Sequence, residues 1–185
     1  PEYEHGHPAG LRMLRAAAAV REREGAGALD PLYAAFGKHI WERPLGDDAE
    51  AYRMSLGTEP LMRTILADAG LDEDFATALE DTARDAAIQA ETDAARERTG
   101  TDVGTPIIHF EPPEGVAFFG PVISRLPSDD DDAELWDHVV GLARFPGFAE
   151  IKRSMRELPQ LPALGGSTGE PPCQSCCLPA SSVLT

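Results

Sequence analysis

In this chain the β-branched and aromatic residues cluster in one stretch, Val103-Gly104-Thr105-Pro106-Ile107-Ile108-His109-Phe110 followed by Gly115-Val116-Ala117-Phe118-Phe119-Gly120-Pro121. Gly and Pro bound both halves, which reads as a β-hairpin. The connection Glu111-Pro112-Pro113-Glu114 is polar and Pro-rich, as suits a turn between strands. With helix-forming sequence on both sides, the expectation is a mostly helical α/β chain with one hairpin. Pro106 is the informative residue. Proline has no N–H for the ladder, so it can begin a strand in the trans form. An X-Pro bond in a sharp loop can also be cis, at a cost of roughly 0.5–1 kcal/mol against trans. A cis bond would turn the Thr105 main-chain groups outward, as an edge for a peptide-like ligand. On residue types alone both readings stand.

Composition limits the rest. Of the 42% hydrophobic residues, 27 residues are Ala. Alanine is the best helix former but buries little surface, so Ala-packed helices and a thin core are expected. The length of 185 residues fits one domain, or one domain and a tail. The formal charge of −16 repels phosphate backbones and anionic lipid surfaces, so nucleic acid and membranes are not expected partners.

Read in order, a helix begins at Pro8 with Leu11, Leu14, Ala18 and Val20 as its apolar stripe, and Gly25 and Gly27 end it. His5-Gly6-His7 lacks a third ligand at metal spacing, so it predicts no metal site. Asp30 caps a second helix with Pro31 at its first position. Its Leu32, Tyr33, Phe36, Ile40 and Trp41 form an aromatic face that either packs the helical part or lines a substrate pocket. Residues 42–55 read as a loop. Thr58-Glu59-Pro60 opens a third helix that Gly70 stops, and Asp72 caps a short one over 72–79. An acidic, Ala-rich helix over about 82–98 follows, with its charges as a solvated face. After the hairpin, Asp129 to Asp132 precede a helix over 133–143, whose Leu135, Trp136 and Val139 should cover the hairpin. The acidic run lacks the spacing and the glycine of a calcium loop. Phe145-Pro146-Gly147-Phe148 leads into a last helix reaching about Arg156. From Leu158 onward Pro, Gly, Ser and Thr dominate, which predicts a disordered tail. That tail holds all three cysteines, Cys173, Cys176 and Cys177. Pro171-Pro172 before Cys173 and the absence of a helical pattern after it make a working C-x-x-C unexpected there.

A helical region, then V-G-T-P-I-I-H-F, a short turn, G-V-A-F-F-G-P-V and a closing helix with Glu134-Leu135-Trp136 together resemble the C-terminal half of a DsbA-like thioredoxin-fold protein. More narrowly, the chain resembles the mycothiol-dependent nitroreductase and disulfide oxidoreductase branch. Leu29-Asp30-Pro31-Leu32-Tyr33, Leu66-Ala67-Asp68-Ala69-Gly70-Leu71 and Phe145-Pro146-Gly147-Phe148-Ala149-Glu150 carry the same resemblance, which spans roughly residues 1–160. It implies a thioredoxin-like fold of the DsbA type with a helical insertion domain over 1–98. Residues 99–157 would then be the C-terminal part of the thioredoxin-like domain, and 158–185 a tail.

The resemblance also implies a function. Gly104, Thr105 and Pro106 would be the substrate-binding cis-proline loop that receives the thiol. The implied activity is thiol–disulfide exchange in the cytoplasm, with a low-molecular-weight, mycothiol-like thiol as cosubstrate, no bound cofactor, and a small thiol or disulfide as partner. The family's first strand and its C-P-x-C have no match in residues 1–185, so the chain is expected to be N-terminally truncated, with no catalytic residue of its own. Two alternatives stay open: a catalytically inactive fragment or helical binding module, and a kappa-class transferase or isomerase, which uses Ser for the first Cys. An exposed hairpin edge further predicts low stability or assembly into a homo-oligomer.

Overall fold

The computed structural model describes residues 2–44, 46–100, 102–152 and 160–164. Within them the chain is mostly helical, with one two-stranded antiparallel sheet. The helices are α1 (Glu2–Glu24), α2 (Leu29–Ile40), α3 (Ala49–Ser55), α4 (Glu59–Asp68), α5 (Asp85–Thr99) and α6 (Asp132–Ala143). The strands are β1 (Ile107–His109) and β2 (Ala117–Phe119). Among the described residues no helix is long and apolar enough to cross a membrane.

The core follows from the alanine content. Met13, Ala16, Ala19 and Val20 recur at helical spacing and bury one stripe of α1. That stripe packs on Leu32 of α2, on Met62, Ile65 and Leu66 of α4, and on the 3₁₀ segment Glu73–Glu80 through Phe75, Ala76 and Leu79. Small side chains on α1 let these elements close in, and the largest fully buried groups are Leu, Ile, Met and Val. Arg15 shares the buried side of α1. Its guanidinium donates to the Leu79 carbonyl at 3.1 Å and forks onto both oxygens of Asp85 at 2.6 and 2.7 Å.

Several element boundaries depart from the sequence expectation. α1 begins at Glu2, so Pro8 lies inside it, where it offers no N–H to the ladder and its ring crowds the carbonyl one turn back. One residue on, Ala9 is buried and lies against Gly57, in the turn between α3 and α4. Asp30 lies in the first turn of α2 rather than at its cap, which is Ala28 without a side-chain bond. There its carboxylate meets the positive end of the helix dipole instead. The expected aromatic face of α2 divides: Leu32 is buried and Phe36 and Ile40 pack against the core, whereas Tyr33 is 80% exposed and Trp41 half-exposed. One residue step is about 100° on a helix, which carries Tyr33 off the Leu32 stripe.

The presumed loop over 42–55 contains α3, which starts after Asp48. Residues 73–80 form a 3₁₀ helix, capped by Asp72 accepting the Asp74 N–H at 2.9 Å. The acidic helix starts at Asp85 after a separate 3₁₀ turn, Thr82–Arg84. Its charges are not all a solvated face, because Asp85 pairs with Arg15 and Glu91 with Arg21 of α1. Phe148 to Lys152 is not helical, and residues 153–156 of the expected last helix lie outside the described residues. Residues 160–164 were expected to be structureless. Instead Gln160 donates its N–H to the Ser124 carbonyl at 2.7 Å, and Ala163 donates to the Trp41 carbonyl at 3.1 Å. The three cysteines lie outside the described residues.

Candidate functional site

The hairpin pairs Ile107 with Phe119, Ile108 with Phe118 and His109 with Ala117. β-branched and aromatic residues opposite one another on a pleated surface give this register its cross-strand contacts. Two further bonds extend it at either end: Gly120 N–H to the Pro106 carbonyl at 2.8 Å, and Phe110 N–H to the Val116 carbonyl at 2.9 Å. In the turn, Gly115 N–H donates to Glu111 at 3.0 Å, and His109 Nε2–H donates to the Gly115 carbonyl at 3.0 Å. The carbonyl can only accept, so the proton sits on Nε2. Gly115 is required sterically, since a Cβ there would meet the Phe110 carbonyl oxygen at 1.7 Å.

The candidate loop sits where α5 hands over to β1. Gly100, at φ 94°, ends α5. Val103 is half-buried, and Gly104, Thr105 and Pro106 are all exposed. The Thr105–Pro106 peptide is cis, as are Pro112–Pro113 and Gly120–Pro121. The ring of Phe119 lies under the loop, 3.6 Å from where a Gly104 Cβ would stand. The three residues named from the sequence thus form one exposed ledge on an aromatic floor, fixed at one end by the Gly120–Pro106 bond.

Behind the ledge is an aromatic cluster. Phe110 stacks on Trp136 of α6 with ring centroids 5.9 Å apart. Phe118 touches Phe110 edge-on at 6.4 Å and Phe148 at 5.7 Å. α6 therefore covers the hairpin through Trp136, as its sequence implies, yet Trp136 and Leu135 keep 46% and 37% of their surface. Arg144 at the end of α6 pairs with Glu111 in the turn at 2.7 Å. Among the described residues, no group of three His, Cys, Asp or Glu could hold a metal ion.

A second polar constellation lies on the helical part and has no sequence motif. His39 of α2 bonds the Tyr52 hydroxyl of α3 through Nδ1 at 2.9 Å and Asp68 of α4 through Nε2 at 2.8 Å. Arg43 lies over the Tyr52 ring, 3.9 Å from its centroid, and also pairs with Asp48. The bond from His39, with Lys38 nearby, holds the Asp68 carboxyl below its usual range. Burial pushes the Tyr52 phenol up, against the opposing pull of Arg43. No sequence signal marks it, because residues 39, 52 and 68 share no short spacing and the residues of α3 follow a Pro-, Gly- and Asp-rich run.

A family model described as mycothiol-dependent nitroreductase Rv2466c, Rv2466c-like, matches residues 1–153. The matched span contains the helical core, the hairpin, its loop and α6, and stops short of residues 160–164.

Proposed function

The chain belongs to the mycothiol-dependent nitroreductase family, and from that premise we propose that it serves a thiol–disulfide oxidoreductase of DsbA-like thioredoxin fold. In this reading Gly104, Thr105 and Pro106 are the ledge that receives a low-molecular-weight thiol such as mycothiol, or its disulfide. The observation that carries the assignment is the exposed, glycine-containing ledge over Phe119 within the family-matched span. Thr105 offers main-chain groups to a peptide-like portion of the thiol, and Phe119 offers an apolar floor.

Disulfide exchange needs a thiolate, activated at a helix N-terminus or by a neighbouring cation. The matched span holds no cysteine, since Cys173, Cys176 and Cys177 all fall beyond it. The reading therefore gives residues 104–106 the docking of the thiol and gives no residue of the matched span the role of the thiolate in disulfide exchange. It also assigns the chain to the cytoplasm, where low-molecular-weight thiols keep proteins reduced. The domain division is proposed on the same grounds: a helical part to residue 98, a thioredoxin-like part over 99–157, and a tail.

The test is a calorimetric titration of the chain with oxidised mycothiol, repeated with Thr105→Trp. Thr105 is exposed, so bulk there obstructs the ledge without entering the core. The expected result is saturable binding that weakens at least tenfold in the variant, about 1.4 kcal/mol, with an unchanged thermal midpoint. Equal affinity in both chains would remove the ledge from the assignment.

A further inference from the structure

The His39, Tyr52 and Asp68 constellation has the geometry of an oriented base beside a hydroxyl. A carboxylate only accepts, so Nε2 of His39 must donate to Asp68 at 2.8 Å. In the neutral imidazole this leaves the Nδ1 lone pair facing the Tyr52 hydroxyl at 2.9 Å. Three helices supply the three groups, and His39 keeps only 16% of its side-chain surface. Beside them is a cleft of about 40 Å³ whose lining includes His39, Arg43, Tyr52, Arg53, Leu56 and Ala163. That volume holds a group of a few heavy atoms. Two arginines are among its lining residues, Arg43 paired with Asp48 and Arg53 with Glu50, and no carboxylate lines it directly.

We propose that Tyr52 is a base-assisted nucleophile that accepts an acyl group from small activated acyl donors entering this cleft. A phenol is neutral at neutral pH and burial raises this one further, so its proton must leave as the bond forms. The Tyr52 Oη–acyl carbon bond forms while its proton passes to His39 Nδ1. When the leaving group departs with its electron pair, His39 returns that proton to it. Asp68 holds the imidazole in the receptive tautomer and stabilises it while charged. Arg43, over the Tyr52 ring, supplies positive charge beside the developing oxyanion.

The probe is N-acetylimidazole, whose leaving group is imidazole. The chain has three tyrosines, and Tyr33, 80% exposed, is an internal reference with no such base described beside it. On exposure alone Tyr33 would react first. The expected result, read by peptide mass spectrometry of the folded full chain, is Tyr52 acetylated at least tenfold faster than Tyr33. His39→Gln should remove that advantage by at least tenfold, in line with the contribution of about 10²–10⁴ usual for a general base. Asp68→Asn should reduce it in the same direction. Preferential labelling of Tyr33 in the native chain would overturn the proposal, and that comparison stands even if a variant fails to fold. Unchanged Tyr52 labelling in a folded His39→Gln chain would overturn it as well.

Discussion

At the scale of single residues, the turns depend on glycine for two distinct reasons. Gly57, at φ 74°, is buried, and a Cβ there would stand 2.8–3.0 Å from Ala9 backbone and side chain. Gly70 has nearly the same conformation, φ 70°, but open space around it. Gly57→Ala should therefore lower stability by about 2–4 kcal/mol, combining a left-handed conformation with overpacking. Gly70→Ala should cost about 1 kcal/mol from conformation alone. Urea denaturation of the two variants separates steric from conformational cost, and equal losses would refute the contact with Ala9. The loop glycine and proline at 104 and 106 were legible in the sequence because they interrupt a β-branched run. The His39 constellation was not, because two long-range hydrogen bonds between three helices leave no local pattern, and the side-chain types involved are common on any surface.

At the scale of elements, α5, a fifteen-residue helix, buries no residue of its own. Its attachment to α1 runs through Arg15 to Asp85 and Arg21 to Glu91. The exposed Arg21–Glu91 pair is screened over about 3 Å at 1 M salt, whereas the partly buried Arg15–Asp85 pair is screened much less. Hydrogen exchange of α5 around Glu91 should accordingly quicken in 1 M sodium chloride while its first turn, α1 and α4 stay protected; equal protection around Glu91 at both salt concentrations would contradict an electrostatic attachment there. The pH dependence has a definite sign. The Arg15 hydrogen bond holds Asp85 below its usual value, so the pair's contribution is fully present above the unfolded carboxylate value, near about 3.9. It fades as pH falls through the depressed folded value. Asp81, lowered chiefly by the Ala83 N–H, and Asp72, lowered chiefly by the Asp74 N–H, act in the same direction. Loosening of α5 should begin below about pH 4 and not between pH 5 and 7. Among the elements, the hairpin was legible from its residue types and its Gly and Pro borders. α3 was not, since Pro44, Gly46, Asp47 and Asp48 hide a seven-residue helix whose anchor is the Tyr52 bond to another helix.

At the scale of the whole molecule, burial is uneven. The buried cluster belongs to α1, α2, α4 and the 3₁₀ segment Glu73–Glu80. Of the fourteen large hydrophobic residues found exposed among the described residues, ten fall between Val116 and Ile151. Such surface favours association. The chain should show a mass that rises with concentration in light scattering, and Trp136→Glu should reduce the rise; a monomer at every concentration would contradict this. The same surface explains why the family is legible in the sequence while the packing is not. Hydrophobic pattern marks which residues can be buried, and here the hairpin and α6 keep much of their apolar area in solvent.

We propose that a low-molecular-weight thiol docks on the ledge Gly104-Thr105-Pro106. The most direct measurement is residue-resolved nuclear magnetic resonance of the full chain during titration with oxidised mycothiol. Docking on the ledge should give saturable shifts confined to residues 103–106 and to Phe119 and Gly120, with the α1 and α4 core unmoved. Shifts centred elsewhere, or none at saturating ligand, would contradict it.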